Sequence, residues 1–201
     1  MRTIGRGIQN IKEQIKMSKA KIINFRYKII SFFLAGLLFS CKARQSDLSV
    51  GEKDLLISSA DIFLSDWHLN AANADYENYF GQMDSVSVFI GTDASENWSK
   101  DAFESYSKPY FDEGKAWSFS AVERHIYTNN DGSLVWFDEL LDTRMGLCRG
   151  SGVIQNNDGH LKMKHYVLSV TVPNNLIQTL IELKKNHDSL SLRSISAALK
   201  K

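Results

Sequence analysis

Asn156-Asn157-Asp158-Gly159, followed by Leu161-Lys162-Met163-Lys164-His165-Tyr166-Val167-Leu168-Ser169, decides the fold of this chain. A cluster of Asn, Asp and Gly between two β-rich runs is a hairpin turn, because these residues tolerate the left-handed backbone that tight turns need. Residues 147–155 are then one strand and 161–172 its partner, ended by Pro173. The same signature occurs once more upstream. Residues 117–127 and 134–142 flank the turn Asn129-Asn130-Asp131-Gly132. Two hairpins in succession predict a four-strand antiparallel meander.

Ahead of the meander the period changes. From Asp54, the residues Leu56, Ala60, Phe63, Leu64, Trp67 and Ala71 recur at three-and-four spacing, the apolar face of a helix. Asn73-Ala74-Asp75 breaks it and caps a short second helix through Phe80, ended by Gly81. Residues 85–90 alternate and are β-branched, hence a strand. Ser99, followed by Asp101 and Glu104, marks the cap and acidic first turn of a third helix that stops near Pro109. A last helix is expected over about residues 175–185, with a frayed tail over 186–201. Helices gathered on one side of an antiparallel sheet make an α+β fold. A strongly bent sheet wrapped around the N-terminal helices forms a cone, and its open mouth is where a small molecule sits.

The first forty residues read differently. An apolar core over residues 29–39 follows Lys19, Lys21, Arg26 and Lys28. Eleven helical residues span roughly 16 Å, against about 30 Å for a bilayer core, so the segment reads as a signal-peptide core. Met17 is placed for a start of ordinary signal length. Leu38-Phe39-Ser40-Cys41 resembles a bacterial lipoprotein cleavage site, which implies lipidation of Cys41, a membrane anchor and a periplasm-facing place in the cell envelope. A plain secretory signal or a buried strand is the alternative. The expected organisation is a signal over 1–40, a tether over 41–53 and a domain over 54–185.

Residues 1–40 carry 8 Lys/Arg and 1 Asp/Glu, so the remainder holds 16 against 22, a net of −6. A mildly acidic domain without a basic stripe argues against nucleic-acid binding. With Cys41 lipidated, Cys148 is left alone and no intrachain disulfide forms. The five histidines show no metal-ligand spacing with a carboxylate, so neither metal nor cofactor is expected.

Alternation sorts the strand residues onto two faces. In the last strand Leu161, Met163, His165, Val167 and Ser169 share one face, and lysines on the other suggest that His165 and Ser169 point into the cone. Tyr166, Leu168 and Val170 then form an outer apolar face, suited to a homodimer. In residues 134–142, Trp136, Asp138, Leu140 and Asp142 oppose Val135, Phe137, Glu139 and Leu141. Asp138 is read either as the partner of Arg149 in a structural ion pair or, with His165, as a catalytic acid–base group in a pocket. Trp67, Trp117 and Trp136 are candidate apolar walls, with Arg149 and Ser169 as polar ligand-binding groups. Gly150-Ser151-Gly152 sits mid-strand without a following helix and is read as a bend rather than a phosphate loop.

Asp66-Trp67-His68, the stretch 76–80, Phe89-Ile90-Gly91-Thr92-Asp93 and the run 161–169 together resemble SnoaL-like domains of the nuclear-transport-factor-2-like superfamily, over about residues 54–175. The final-strand pattern of such domains, Trp-x-x-x-His-x-His-x-Ser, keeps His165 and Ser169 but has Leu161 and Val167 in the other two places. The resemblance implies a cone that serves isomerases, dehydratases, cyclases, assembly domains and binding modules alike. Where the steroid isomerases it resembles carry a catalytic aspartate, this chain has Ile90. That substitution favours an envelope binding protein for a small, largely apolar molecule. An isomerase-, dehydratase- or cyclase-type enzyme and a non-catalytic assembly domain remain as alternatives.

Overall fold

The computed structural model describes residues 47–199, together with Met17; the rest of the expected signal region and Cys41 lie outside the described residues. The order is α1 (Val50–Ala72), α2 (Tyr76–Gly81), β1 (Met83–Ile90), β2 (Asn97–Ser99), α3 (Lys100–Asp112), β3 (Ser120–Thr128), β4 (Leu134–Thr143), β5 (Gly146–Asn157) and β6 (His160–Val170). A single 3-10 turn, Asn174–Leu176, then leads into α4 (Ile177–Ala198). The six strands form one curved sheet in the order β2-β1-β6-β5-β4-β3. The expected meander is β3 to β6, antiparallel throughout. β1 joins its other side in parallel with β6, and the short β2 closes the edge.

Helix α1 starts four residues ahead of the expected Asp54. Ser49 caps it: its hydroxyl accepts from the Glu52 amide at 3.3 Å, while Glu52 reaches back to the Ser49 amide at 2.8 Å. The helix lays Leu56, Ala60, Phe63, Leu64, Trp67, His68 and Ala71 into the concave side of the sheet. Its start is tied to the β3–β4 turn, where the Leu48 amide donates to the Asn130 carbonyl at 2.7 Å. Gly132 has φ +69° in that turn, and a side chain there would meet Leu48 at 2.3 Å. Only glycine serves both conditions.

Helix α3 does not stop at Pro109 but runs through it to Asp112. Proline forfeits one intrahelical hydrogen bond. Phe103, Ser107 and Phe111, four residues apart, are all buried, and the packing of the two phenylalanine rings on either side of the break carries the helix past it. The expected frayed tail is also corrected, since α4 continues to Ala198. Among the described residues it buries no side chain fully, and it lies along the loop after β1, with Leu183, His187 and Ile195 toward residues 91–97.

The strand facing departs from simple alternation at one point. β5 pairs Ile154 with Met163 but Val153 with His165, so Lys164 is an extra residue, a β-bulge. β1 shifts register against β6 over the same stretch. One inserted residue transfers every later side chain to the other face. Tyr166 and Leu168 are therefore buried inside, while His165 is half-buried and Ser169 exposed on the outer face.

Candidate functional site

The interior holds two distinct environments. The first is a knot of charge buried around Glu139. Glu139 on β4 is surrounded by apolar neighbours, with Phe137 and Leu141 on its own face. Its Oε1 lies 2.8 Å from His68 Nε2 and accepts from the Tyr166 hydroxyl at 3.2 Å. Its Oε2 accepts from Arg124 Nε at 2.9 Å. Arg124 Nη1 in turn donates to the Asp61 carboxylate at 2.7 Å, to the Asp61 carbonyl at 3.1 Å and to Ser65 Oγ at 3.1 Å. Burial alone would raise the Glu139 carboxyl. The His68 hydrogen bond, with the charges of His68 and Arg124, outweighs it and holds the group below the usual carboxylate range. Burial, and then the Glu139 charge, push the Tyr166 phenol well up, so it stays a donor.

Gly150 makes this knot possible. A Cβ at that position would lie 2.3 Å from the Tyr166 hydroxyl and 3.0 Å from Glu139 Oε1. At Gly152 a Cβ would meet the His165 carbonyl at 2.4 Å and the Phe137 ring at 2.9 Å. The glycines therefore clear room for large side chains from the neighbouring strands, a more specific role than the expected bend.

The second environment is an aromatic cleft of about 160 Å³ at the wide end of the cone. α3 supplies Phe103 and Tyr106, β1 and β2 supply Phe89 and Trp98, and the connector before β3 supplies Trp117 and Phe119. The rings stack in sequence: Tyr106 on Trp98 at 4.6 Å, Trp98 on Phe103 at 5.6 Å, Phe103 on Phe89 at 3.9 Å. The charged groups of the lining are Glu96 and, from the β4–β5 turn, Arg144. Burial and the Tyr110 hydroxyl push the Tyr106 phenol up, so it is neutral at physiological pH.

An aromatic layer separates the two. The His68 ring meets Phe119 at 6.0 Å and the Tyr166 ring meets Phe89 at 5.5 Å, and both phenylalanines line the cleft. None of His68, Glu139, Arg124 or Tyr166 reaches the cleft wall.

Of the residues expected from sequence, the structure places Trp117 on the cleft and Trp67 in the solid core, stacked on Tyr79 at 4.8 Å. Trp136 is on the outer face, 45% exposed and stacked on Tyr127. Asp138 is also outside, accepting from Arg149 Nη1 at 3.1 Å, with His125 Nδ1 at 3.3 Å. The ion-pair reading of Asp138 and Arg149 describes this contact. The expectation that Asp138, His165, Arg149 and Ser169 converge inside the cone is corrected: Asp138 and Arg149 sit where plain alternation puts them, and the Lys164 bulge turns His165 and Ser169 outward. Tyr166 and Leu168, expected on a dimer face, are interior for the same reason. Ile90 faces outward, and its inward neighbour Phe89 is apolar.

Sequence reasoning missed the knot of Glu139, His68 and Arg124, and did not select Trp98 or Arg144 for the cleft. The available signal was an acid set among Val135, Phe137 and Leu141 on one face, with His68 beside Trp67 on the apolar stripe of α1. Among the described residues no group of three or more His, Cys, Asp or Glu is placed to hold a metal.

A family model described as the SnoaL-like domain matches residues 62–173. Solved structures share the fold at low identity. A nuclear-transport-factor-2-like protein of unknown function from Pseudomonas putida is 12% identical, with TM-score 0.51 over 60% of this chain and 90% of its own. A putative dehydratase of the same superfamily from Streptomyces avermitilis is 9% identical, with TM-score 0.52 over 60% and 99%. A putative scytalone dehydratase from Novosphingobium aromaticivorans is 10% identical, with TM-score 0.52 over 61% and 89%. No curated protein matches by sequence.

Proposed function

The chain belongs to the SnoaL-like domain family, and from that premise we propose that it binds a small, largely apolar molecule in the aromatic cleft of its cone rather than carrying out acid–base chemistry there. One observation carries the reading. The buried acid–base groups Glu139, His68 and Tyr166 spend their hydrogen bonds on one another and stand behind the rings of Phe89 and Phe119. A general acid or base must come within hydrogen-bond reach of the proton it moves, and a ligand in the cleft is held off by a full ring's thickness. Stacked rings with a few polar groups at the rim are the usual form of a binding site. Calorimetric titration with aromatic compounds, on wild type and Trp98→Ala, tests it. Binding lost in the variant supports the reading. Turnover of a ring ketone or alcohol that Glu139→Gln abolishes would instead establish the enzyme.

The address and assembly belong to the same proposal. Lipidation at Cys41 would hold the domain at the envelope membrane, periplasm-facing, and labelling with a palmitate analogue that survives Cys41→Ala would refute it. A homodimer through the outer sheet face is supported by a row of side chains aligned across five strands, Tyr127, Trp136, Val153, His165 and Val88. Sedimentation as a monomer at high micromolar concentration would exclude it. No role with nucleic acid is proposed for a domain of this charge.

A further inference from the structure

We infer that the occupant of the cleft is a single flat aromatic ring bearing an anionic substituent, and that Arg144 is the clamp for that substituent. This rests on the binding reading above and adds size, shape and charge to it.

Size sets the first limit. Pockets for drug-sized ligands measure about 300 Å³ or more, whereas an apolar cavity of about 150 Å³ takes one benzene ring. At about 160 Å³, this cleft has room for one ring with its substituent toward solvent, and the second ring of a fused system would stand outside it without wall contacts.

Shape sets the second. Trp98 and Phe103 are 14° from coplanar, Phe103 and Phe89 14°, Phe103 and Trp117 26°, and Tyr106 and Trp98 24°. Walls that share one plane direction offer parallel faces, and a flat ring continues an offset stack where an aliphatic chain gains only its area.

Charge sets the third. Arg124 and Arg149 are both spent on carboxylates, whereas among the described residues Arg144 makes no ion pair and lies on the cleft lining beside Met145. Its position in the β4–β5 turn puts it at the mouth rather than the floor. A planar guanidinium matches a carboxylate or phosphate in a two-pronged contact. The one carboxylate of the lining, Glu96, is folded down instead. Its Oε2 accepts from the Asp93 amide at 3.1 Å and lies 2.1 Å from where a Cβ on Gly91 would stand. An anionic substituent is thus repelled from the Glu96 wall and drawn to Arg144, which orients the ring.

The test titrates the detergent-solubilised full chain with benzoate, benzyl alcohol, benzylamine and 2-naphthoate by calorimetry. The expected order has benzoate about tenfold tighter than benzyl alcohol, the usual gain of a charged hydrogen bond, with 2-naphthoate weaker than benzoate. Arg144→Met should cost benzoate that factor and leave benzyl alcohol unchanged, which also shows that the variant is folded. Glu96→Gln should hold or tighten benzoate. Benzylamine binding more tightly than benzoate, 2-naphthoate matching benzoate, or Arg144→Met binding benzoate like wild type would overturn this inference while leaving the cleft as a binding site. If none of the four compounds binds, the binding reading itself fails.

Discussion

The two halves of the cone interior handle charge in opposite ways. Around Glu139 every charged group has a partner, and the cluster meets the surface only where Arg124 pairs with the exposed Asp61 carboxylate. At the mouth the charged groups Arg144 and Glu96 stand over a stack of neutral rings. On the proposed reading the ring-lined half receives the ligand, and the acid, base and phenol of the other half hold the core together.

The largest expected effect breaks the buried half. Glu139→Ala leaves the His68 ring and the Tyr166 hydroxyl buried without their acceptor and Arg124 with Asp61 as its one carboxylate, and removing one partner of a buried pair costs about 3–5 kcal/mol. Urea denaturation checks it. Should Glu139→Gln keep its stability yet lose ligand binding, the knot would belong to the site and the division would be wrong. Gly150→Ala comes next. Its Cβ would strike the Tyr166 hydroxyl at 2.3 Å, and forcing extra volume into a packed core costs about 1–3 kcal/mol. Gly146→Ala, with open space and φ +83°, is the control for backbone strain alone.

Much of this contrast was hidden in the sequence. The stripe from Leu56 to Ala71 and the two Asn-Asn-Asp-Gly turns were legible, because helix period, strand period and turn chemistry are local. Facing along β6 was not. Whether Lys164 is a bulge is decided by pairing with β5 and β1, far away in the chain. Glu139 was passed over because its partners, His68 and Arg124, are 71 and 15 residues distant, and an unpartnered acid reads as an outer residue. Trp98 lies in a strand of three residues, too short to show alternation. The family resemblance supplied the cone, but it carries no information about which half of the cone stays open.

Acid sharpens the comparison further. Glu139 has its carboxyl depressed in the folded protein, so it contributes stability above the unfolded glutamate value that is lost as pH falls through the lower folded value. Melting temperature followed downward from neutral pH should therefore fall below the ordinary carboxylate range. Glu139→Gln should flatten that limb. Ligand binding at Arg144 should lack this dependence down to the pKa of the ligand's own acid, since guanidinium does not titrate there.

The smallest effect on stability is expected outside the cone altogether, at Trp136. Its ring is 45% exposed and lies on Tyr127 with centroids 6.1 Å apart, on the face opposite the knot. In a monomer, Trp136→Ala removes one solvent-facing ring contact, and substitutions of that kind stay near 0.5 kcal/mol or below. In a dimer built on the row from Tyr127 to Val88, the same ring would be an anchor at the interface, where truncating a tryptophan costs about 2 kcal/mol or more. The variant therefore distinguishes the two states through one pair of measurements. A melting temperature that depends on protein concentration in wild type and loses that dependence in Trp136→Ala would place the ring between two copies. A melting temperature independent of concentration in both, with a shift of a degree or two, would leave the outer face as an ordinary solvated surface and confine function to the mouth of the cone.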